Sequence, residues 1–355
     1  MTTEWEFKYP LVTVHALDRG VSDHTPLLLD TGNPAFTGTA KKFKMELSWF
    51  SRKDFYDTVA QIWSKPVHGQ NSVQRWNKKM AALRRHLRGW AIHTNSLYKK
   101  QKSSLQSIIT TLDISAESHL LTESERNQLD QARCELSKLL REEEIKYFQG
   151  AKVSDVLLGD NNTGYFQMVA NGKHRKKRIF SLDDEVGTVE GQANLKAYIT
   201  RFYKGLFGDP DNILFNLDES RHDDIPQVTQ SENEFLTAPF TEKEFRDAVF
   251  AMEHNKAPGP DGFPAEFYQK FWDIIKDDLM QMFLDLRAGD LPLYSLSFGV
   301  ITLVPKVHEA NRIQQYRPIC LLNVSFKIFT KVAAIRVNSI ADYLVSLTQT
   351  AFMRG

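Results

Sequence analysis

Two short segments near the end of the chain carry cations that could grip a polyphosphate. Lys306 ends the apolar run LVPK, and Arg317 stands in YRPI after a polar loop. The two flanks predict a β-hairpin that projects these side chains from neighbouring strands. Arginine offers a planar fork and lysine a compact charge, so a rigidly held pair can bind polyphosphate oxygens. The alternative interpretation is a pair of unrelated surface cations.

A carboxylate and an imidazole stand side by side near the start of the chain. Asp23 and His24 lie just before an apolar segment that predicts a strand. Histidine is a natural general base near neutral pH, and aspartate can orient it or hold a metal. An adjacent pair of this kind is weak evidence of catalysis when taken alone.

Positive charge is concentrated in blocks. The segment 74–102 contains nine Lys or Arg and no Asp or Glu, and Arg84, Arg85 and Arg88 form its densest part. A second block, KHRKKR, supplies Lys173, Arg175, Lys176, Lys177 and Arg178. Each block fits either a solvated helix face or a grip on a nucleic-acid backbone, which would make binding salt-dependent. KHRKKR equally fits a nuclear-localisation patch.

The overall composition excludes several classes of protein. The chain has 355 residues with 42% hydrophobic and 25% charged side chains, which excludes a collagen-like or wholly disordered chain. The 45 basic residues nearly cancel the 44 acidic ones, since an acidic block at 209–247 offsets the basic blocks. Two distant cysteines fit neither a zinc spacing nor a disulfide framework. Without a signal peptide or an apolar span, we expect a nuclear or cytoplasmic protein with no membrane partner.

The elements that must position these residues follow from proline distribution and apolar spacing. No proline occurs between Pro66 and Pro210, and the apolar spacing there predicts a long helical hairpin over about 70–150. A β-hairpin at 178–190 and helices at 193–207, 241–255, 264–289 and 326–346 follow from similar signals. The predicted fold is mainly α with small β elements, an α+β chain.

Several segments, taken in order, resemble the polyprotein of plant-type LINEs, a group of non-LTR retrotransposons. The order extends over nearly the whole chain and is more specific than any single piece. The segments are VSDHTPLLL at 21–29, GDNNTGYF at 159–166, KAPGPDGF at 256–263, ITLVPK at 301–306 and YRPICLLNV at 316–324. The first is similar to the closing strand of the family's endonuclease. The last three are similar to the beginning of its reverse transcriptase domain.

The resemblance implies a division of the chain. Residues 1–30 would be a remnant of the endonuclease, with Asp23 and His24 surviving but inactive. Residues 40–150 would be a helical linker region, 151–208 a small α/β segment, and 209–240 an acidic linker. Residues 241–355 would be the fingers part of a reverse transcriptase.

The same resemblance assigns roles to individual side chains. Lys306 and Arg317 would contact the triphosphate of the incoming dNTP. The RNA template or DNA primer would be contacted by Lys256, Lys327, Lys331 and Arg336, with the basic blocks as further RNA grips.

The family's polymerase chemistry uses Mg²⁺ held by palm aspartates. The motifs that carry them come after the positions matched here, so we expect this chain to be catalytically inactive alone. Two alternatives remain: a domesticated, non-catalytic nucleic-acid-binding or scaffold protein, and the product of a decayed element without function.

Overall fold

The computed structural model describes residues 13–16, 27–30, 42–151, 179, 181–185, 187–208, 226–307 and 310–344. Helices dominate these ranges. In chain order they are α1 (Phe55–Trp63), α2 (Ser72–Ser118), α3 (Glu123–Ala151), α4 (Gln192–Leu206), α5 (Gln230–Thr237), α6 (Glu242–Phe250), α7 (Ala265–Lys270), α8 (Trp272–Arg287) and α9 (Val324–Leu344).

The strands in the described ranges form three separate antiparallel pairs. They are β1 (Thr13–Ala16) with β2 (Leu27–Asp30), β3 (Ser181–Asp184) with β4 (Gly187–Glu190), and β5 (Gly299–Pro305) with β6 (Tyr316–Leu322). The prediction of a mainly α fold with small β elements is therefore confirmed. None of the described helices is both long enough and apolar enough to span a bilayer.

The chain divides into two compact units, residues 1–52 with 84–167 and residues 53–83 with 168–355. In the first unit, α2 and α3 pack as the predicted helical hairpin. Their shared core consists of Leu105, Ile109, Leu112, Leu129, Ala132 and Leu136. A capping box, whose Thr-x-x-Glu pattern is visible in the sequence, starts α3: the Thr122 amide donates to Glu125 at 2.8 Å, and the Glu125 amide donates to the Thr122 hydroxyl at 3.3 Å.

In the second unit, Asp278 on α8 fastens two earlier elements. Its carboxylate accepts a hydrogen bond from the Trp63 indole at 2.8 Å and from the Lys79 ammonium at 2.7 Å. That ammonium also lies 5.3 Å from the centre of the Trp63 ring, within cation–π range. Lys79 thus belongs to the internal structure of this unit.

A second small core joins two segments that were predicted to be separate, residues 151–208 and residues 241–355. Leu182, Leu195 and Tyr198, from the 179–207 stretch, pack with Ile313 and Tyr316 at the loop of the β5–β6 hairpin. The boundary predicted at 208/209 therefore does not separate two cores.

Two element predictions need correction. Residues 230–237, inside the predicted acidic linker, form α5, which begins at a capping box of Thr229 and Glu232. The single helix predicted over 264–289 is two helices, α7 and α8, because the backbone leaves the helical region at Phe271. Phe271 is completely buried there and its ring packs 5.6 Å from that of Phe55.

Candidate nucleotide and nucleic-acid interface

The β5–β6 hairpin holds Arg317 on a solvent-facing surface. Val304 lies opposite Arg317, and Thr302 lies opposite Ile319. Directly opposed residues of an antiparallel pair point to the same side of the sheet. All four of these residues are exposed, so this side of the hairpin is open.

The other side of the hairpin is anchored. Leu303 and Tyr316, which point the opposite way, pack into the core around Leu182. The Tyr316 hydroxyl donates to the Ala310 carbonyl at 2.8 Å and fixes the loop between the strands. The anchored side gives the hairpin a rigid base from which Arg317 projects.

Lys306 lies one residue beyond the end of β5, at the start of the loop between the two strands. Its amide donates to the Gln315 carbonyl at 2.7 Å, and its ammonium donates to the Gln314 carbonyl at 2.9 Å. Lys306 and Arg317 are both exposed. Both predicted cations therefore belong to one hairpin and are open to solvent.

The KAPGPDGF corner is docked against the junction of β6 and α9. The Asp261 amide donates to the Asn323 side-chain oxygen at 3.0 Å, and the Asp261 carboxylate accepts from the Phe263 amide at 3.1 Å. A Cβ added to Gly259 would lie 2.5 Å from the Asn323 nitrogen, so only glycine fits this approach. Gly262 has a φ of +83° and completes the turn.

Beneath the corner, Tyr268 is fully buried. Burial raises the pKa of its hydroxyl well above the usual value, and the nearby charge of Asp261 raises it further. Tyr268 therefore stays neutral and supports the corner as a structural residue.

Lys256 and Lys331 converge on one carboxylate. The Lys256 ammonium lies 2.6 Å from Glu253, and both partners are largely exposed. The hydrogen bond and charge of Lys256 lower the pKa of Glu253, and the charge of Lys331 lowers it further. Lys327 is half-buried and lies one turn before the exposed Lys331 on α9. These three predicted nucleic-acid contacts therefore lie near one another.

Arg336, the fourth predicted nucleic-acid contact of this group, is buried. Only 5% of the residue is exposed. Its guanidinium donates to both carboxylate oxygens of Glu244, at 2.5 and 2.9 Å, and to the Ala238 and Pro239 carbonyls at 2.6 and 2.8 Å. It also stacks 3.9 Å over the Phe240 ring. The expectation that Arg336 contacts template or primer is corrected: its donors are used inside the protein.

Only some of the cations in the first basic block, segment 74–102, are without an internal partner among the described residues. Arg85 and Arg88 are exposed, and Arg84 is half-buried. In contrast, Lys79 pairs with Asp278 and Lys102 pairs with Glu143, each at 2.7 Å. The second block (Lys173, Arg175, Lys176, Lys177 and Arg178) and the pair of Asp23 and His24 lie outside the described residues.

The described residues include no candidate metal site. No group of three or more His, Cys, Asp or Glu side chains in those ranges could hold an ion. The described residues therefore do not fit the Mg²⁺ that the resemblance implies, and we derive no step through a metal.

The chain is 32% identical over 241 residues to the "Transposon TX1 uncharacterized 149 kDa protein" of Xenopus laevis. This chain is related to a transposon protein. The aligned residues make up 66% of this chain but 18% of the frog protein, so the similarity concerns a limited part of the relative. No protein-family model matches the chain. The plant-type refinement of the resemblance receives no support from an animal relative.

Proposed function

We propose that the chain is part of a non-LTR retrotransposon polyprotein and that its residues from 241 onward form the fingers of a reverse transcriptase. The relationship to a transposon protein supports the general assignment. The finer assignment rests on the order of the KAPGPDGF, LVPK and YRPI motifs. The observation that carries it is that Lys306 and Arg317 are both exposed on one hairpin whose other side is anchored in a core.

In this proposal Lys306 and Arg317 bind the triphosphate of the incoming dNTP. Arg317 supplies a planar fork, and Lys306 a compact charge whose position is already set by its bond to Gln314. The corner and α9 offer Lys256, Lys327 and Lys331 to the backbone of the RNA template or DNA primer. Arg336 has a structural role only.

Binding of dATP and dAMP to the full chain, measured by isothermal titration calorimetry, tests the nucleotide site. The chain should prefer dATP, because the two cations act on the β and γ phosphates. The double variant Lys306→Gln/Arg317→Gln should lose about tenfold or more in dATP affinity while its affinity for dAMP changes little.

A matched control removes the same charges elsewhere. The double variant Lys270→Gln/Arg287→Gln alters one exposed lysine and one exposed arginine of the same unit. It should bind dATP as the parent does. Equal dATP affinity of the parent and the Lys306/Arg317 variant would contradict the proposed site.

A second candidate function is non-catalytic nucleic-acid binding through α2. The observation that favours it is that Arg85 and Arg88 are exposed on a segment without acidic residues.

A further inference from the structure

The nine cations of segment 74–102 fall into two groups. Four are engaged: Arg75 and Lys78 donate to the carbonyls of Gly69 and His68, and Lys79 and Lys102 pair with Asp278 and Glu143. The other five form no hydrogen bond or ion pair with any residue in the described ranges. They are Arg84, Arg85, Arg88, Lys99 and Lys100.

Most of the free cations share one face of α2. Arg85, Arg88, Ile92 and Lys99 are spaced three, four and seven residues apart, which places them along one side of a helix. All four are exposed. From Arg85 to Lys99 this side is roughly 21 Å long at 1.5 Å per residue. We call it the cationic face.

The opposite side of α2 is buried. Leu83 and Leu87 there have no exposed surface. The cationic face lies on the other side of the helix and is open to solvent. Its residues lie within one compact unit, which also contains α3.

The chemistry of the cationic face favours a double helix over a single strand. Proteins hold single strands largely by stacking bases on exposed aromatic rings. The aromatic residues nearby point inward: Trp90 lies 5.4 Å from Trp49, edge to face, and the Tyr98 hydroxyl donates to the Leu139 carbonyl at 2.8 Å. What remains is a line of positive charge and the aliphatic side chain of Ile92, which suits closely spaced duplex phosphates.

We infer that the cationic face of α2 binds the phosphate backbone of a nucleic-acid duplex without reading its sequence. The inference rests on the second candidate function and specifies its ligand; it is separate from the fingers function, since none of its residues belongs to the β5–β6 hairpin, the corner or α9. A test of duplex binding by the cationic face therefore does not depend on whether Lys306 and Arg317 bind a nucleotide.

Fluorescence anisotropy of the full chain with a labelled 20-bp DNA duplex tests the inference, over a range of salt from 50 to 200 mM. The triple variant Arg85→Gln/Arg88→Gln/Lys99→Gln keeps good helix formers on α2. We expect it to lose about tenfold or more in duplex affinity. The slope of log affinity against log salt should become shallower by about 2–3, as each lost phosphate contact removes about 0.9.

Three further measurements sharpen the result. The triple variant Lys53→Gln/Lys138→Gln/Lys243→Gln removes three exposed charges elsewhere and should bind the duplex as the parent does. The charge-preserving variant Arg85→Lys/Arg88→Lys should also retain binding, because backbone contacts need charge and not a planar fork. A duplex of shuffled sequence should bind equally well, and one strand alone more weakly.

Opposite results overturn the inference. These are a cationic-face variant that binds within twofold of the parent, a control that loses as much affinity, or a single strand that binds as tightly as the duplex. A circular dichroism spectrum matching that of the parent shows that a loss of binding does not come from unfolding. Loss of duplex binding with intact dATP preference would separate this site from the proposed nucleotide site.

Discussion

The carboxylate of Glu244 and the guanidinium of Arg336 form a two-pronged ion pair that joins α6 to α9, helices distant in sequence. Glu244 is also the closing residue of the capping box that starts α6, where it accepts from the Thr241 amide at 2.7 Å. Arg336 in turn donates to the carbonyls that follow α5. One pair of side chains therefore holds together three helices of the second unit.

Removing the charge of Glu244 should destabilise this unit strongly. Glu244→Gln leaves the buried guanidinium of Arg336 without its counter-ion, which costs about 2–4 kcal/mol, toward the lower end because carbonyl acceptors remain. Urea unfolding followed by circular dichroism measures the loss. Glu242→Gln is the control, since its pair with Lys276 is exposed and is worth under about 1 kcal/mol. Equal losses for the two variants would contradict the role given to Arg336.

The same ion pair predicts a dependence of stability on pH. The hydrogen bond from Arg336 is the largest of the influences that lower the pKa of Glu244 from 4.5 to about 2. A carboxyl whose pKa is lower in the folded state contributes stability that is fully present above the unfolded value of 4.5 and is lost as pH falls toward 2. Between pH 5 and pH 2 the parent should therefore lose more stability than Glu244→Gln. Parallel curves for the two proteins would show that Glu244 is not the group responsible.

Gly259→Ala tests the docking of the corner. The added Cβ would meet the backbone nitrogen of Asn323 and the carbonyl oxygen of Leu322, each at 2.5 Å, and neither can rotate away. We expect a loss of about 2 kcal/mol or more in the free energy of unfolding. Gly89→Ala is the control, because nothing lies within 4 Å of its added Cβ and alanine favours the helix. A corner variant as stable as the parent would mean that the close approach is not required.

Local signals in the sequence predicted much of this structure. The capping boxes at Thr122 and Thr241 and the leucine spacing of the helical hairpin depend on residues within one or two turns, so they can be read directly. The two strands at β5 and β6 were also predicted, because their apolar runs are bounded by clear turn residues.

Long-range partners were harder to predict. The resemblance assigned Arg336 to the template or primer, and nothing near it in sequence indicated its partner Glu244, which lies far away in the chain. One signal was present: Ile328, Val332 and Ile340 mark the buried side of α9, and Arg336 falls in register with them at four-residue spacing. The docking of Asn323 against the corner, and the core shared by Leu182 and Ile313, had no comparable local signature.

A cavity made between the two helices of the helical hairpin should lower the stability of the protein. Leu136 on α3 is 1% exposed and packs against α2. Leu136→Ala should lower the free energy of unfolding by about 2–5 kcal/mol, because it leaves a void between the helices. Leu120, at the tip of the hairpin, is 89% exposed, so Leu120→Ala should change stability by less than about 0.5 kcal/mol. Thermal melts of both variants measure the contrast, and similar melting temperatures would argue against the observed packing.

We expect the core around Ile313 to hold the β5–β6 hairpin in the shape that the proposed nucleotide site requires. Ile313 is completely buried and packs with Leu182 and Tyr316, so Ile313→Ala removes support from the anchored side of the β5–β6 hairpin. We expect a loss of about 2–5 kcal/mol in stability and faster hydrogen exchange of the Lys306 amide, which donates to Gln315. Affinity for dATP should fall although no cation is altered. Ile301→Ala is the control, since Ile301 is 47% exposed on the same hairpin. Unchanged exchange at Lys306 in the Ile313 variant would show that the hairpin holds its geometry without this core.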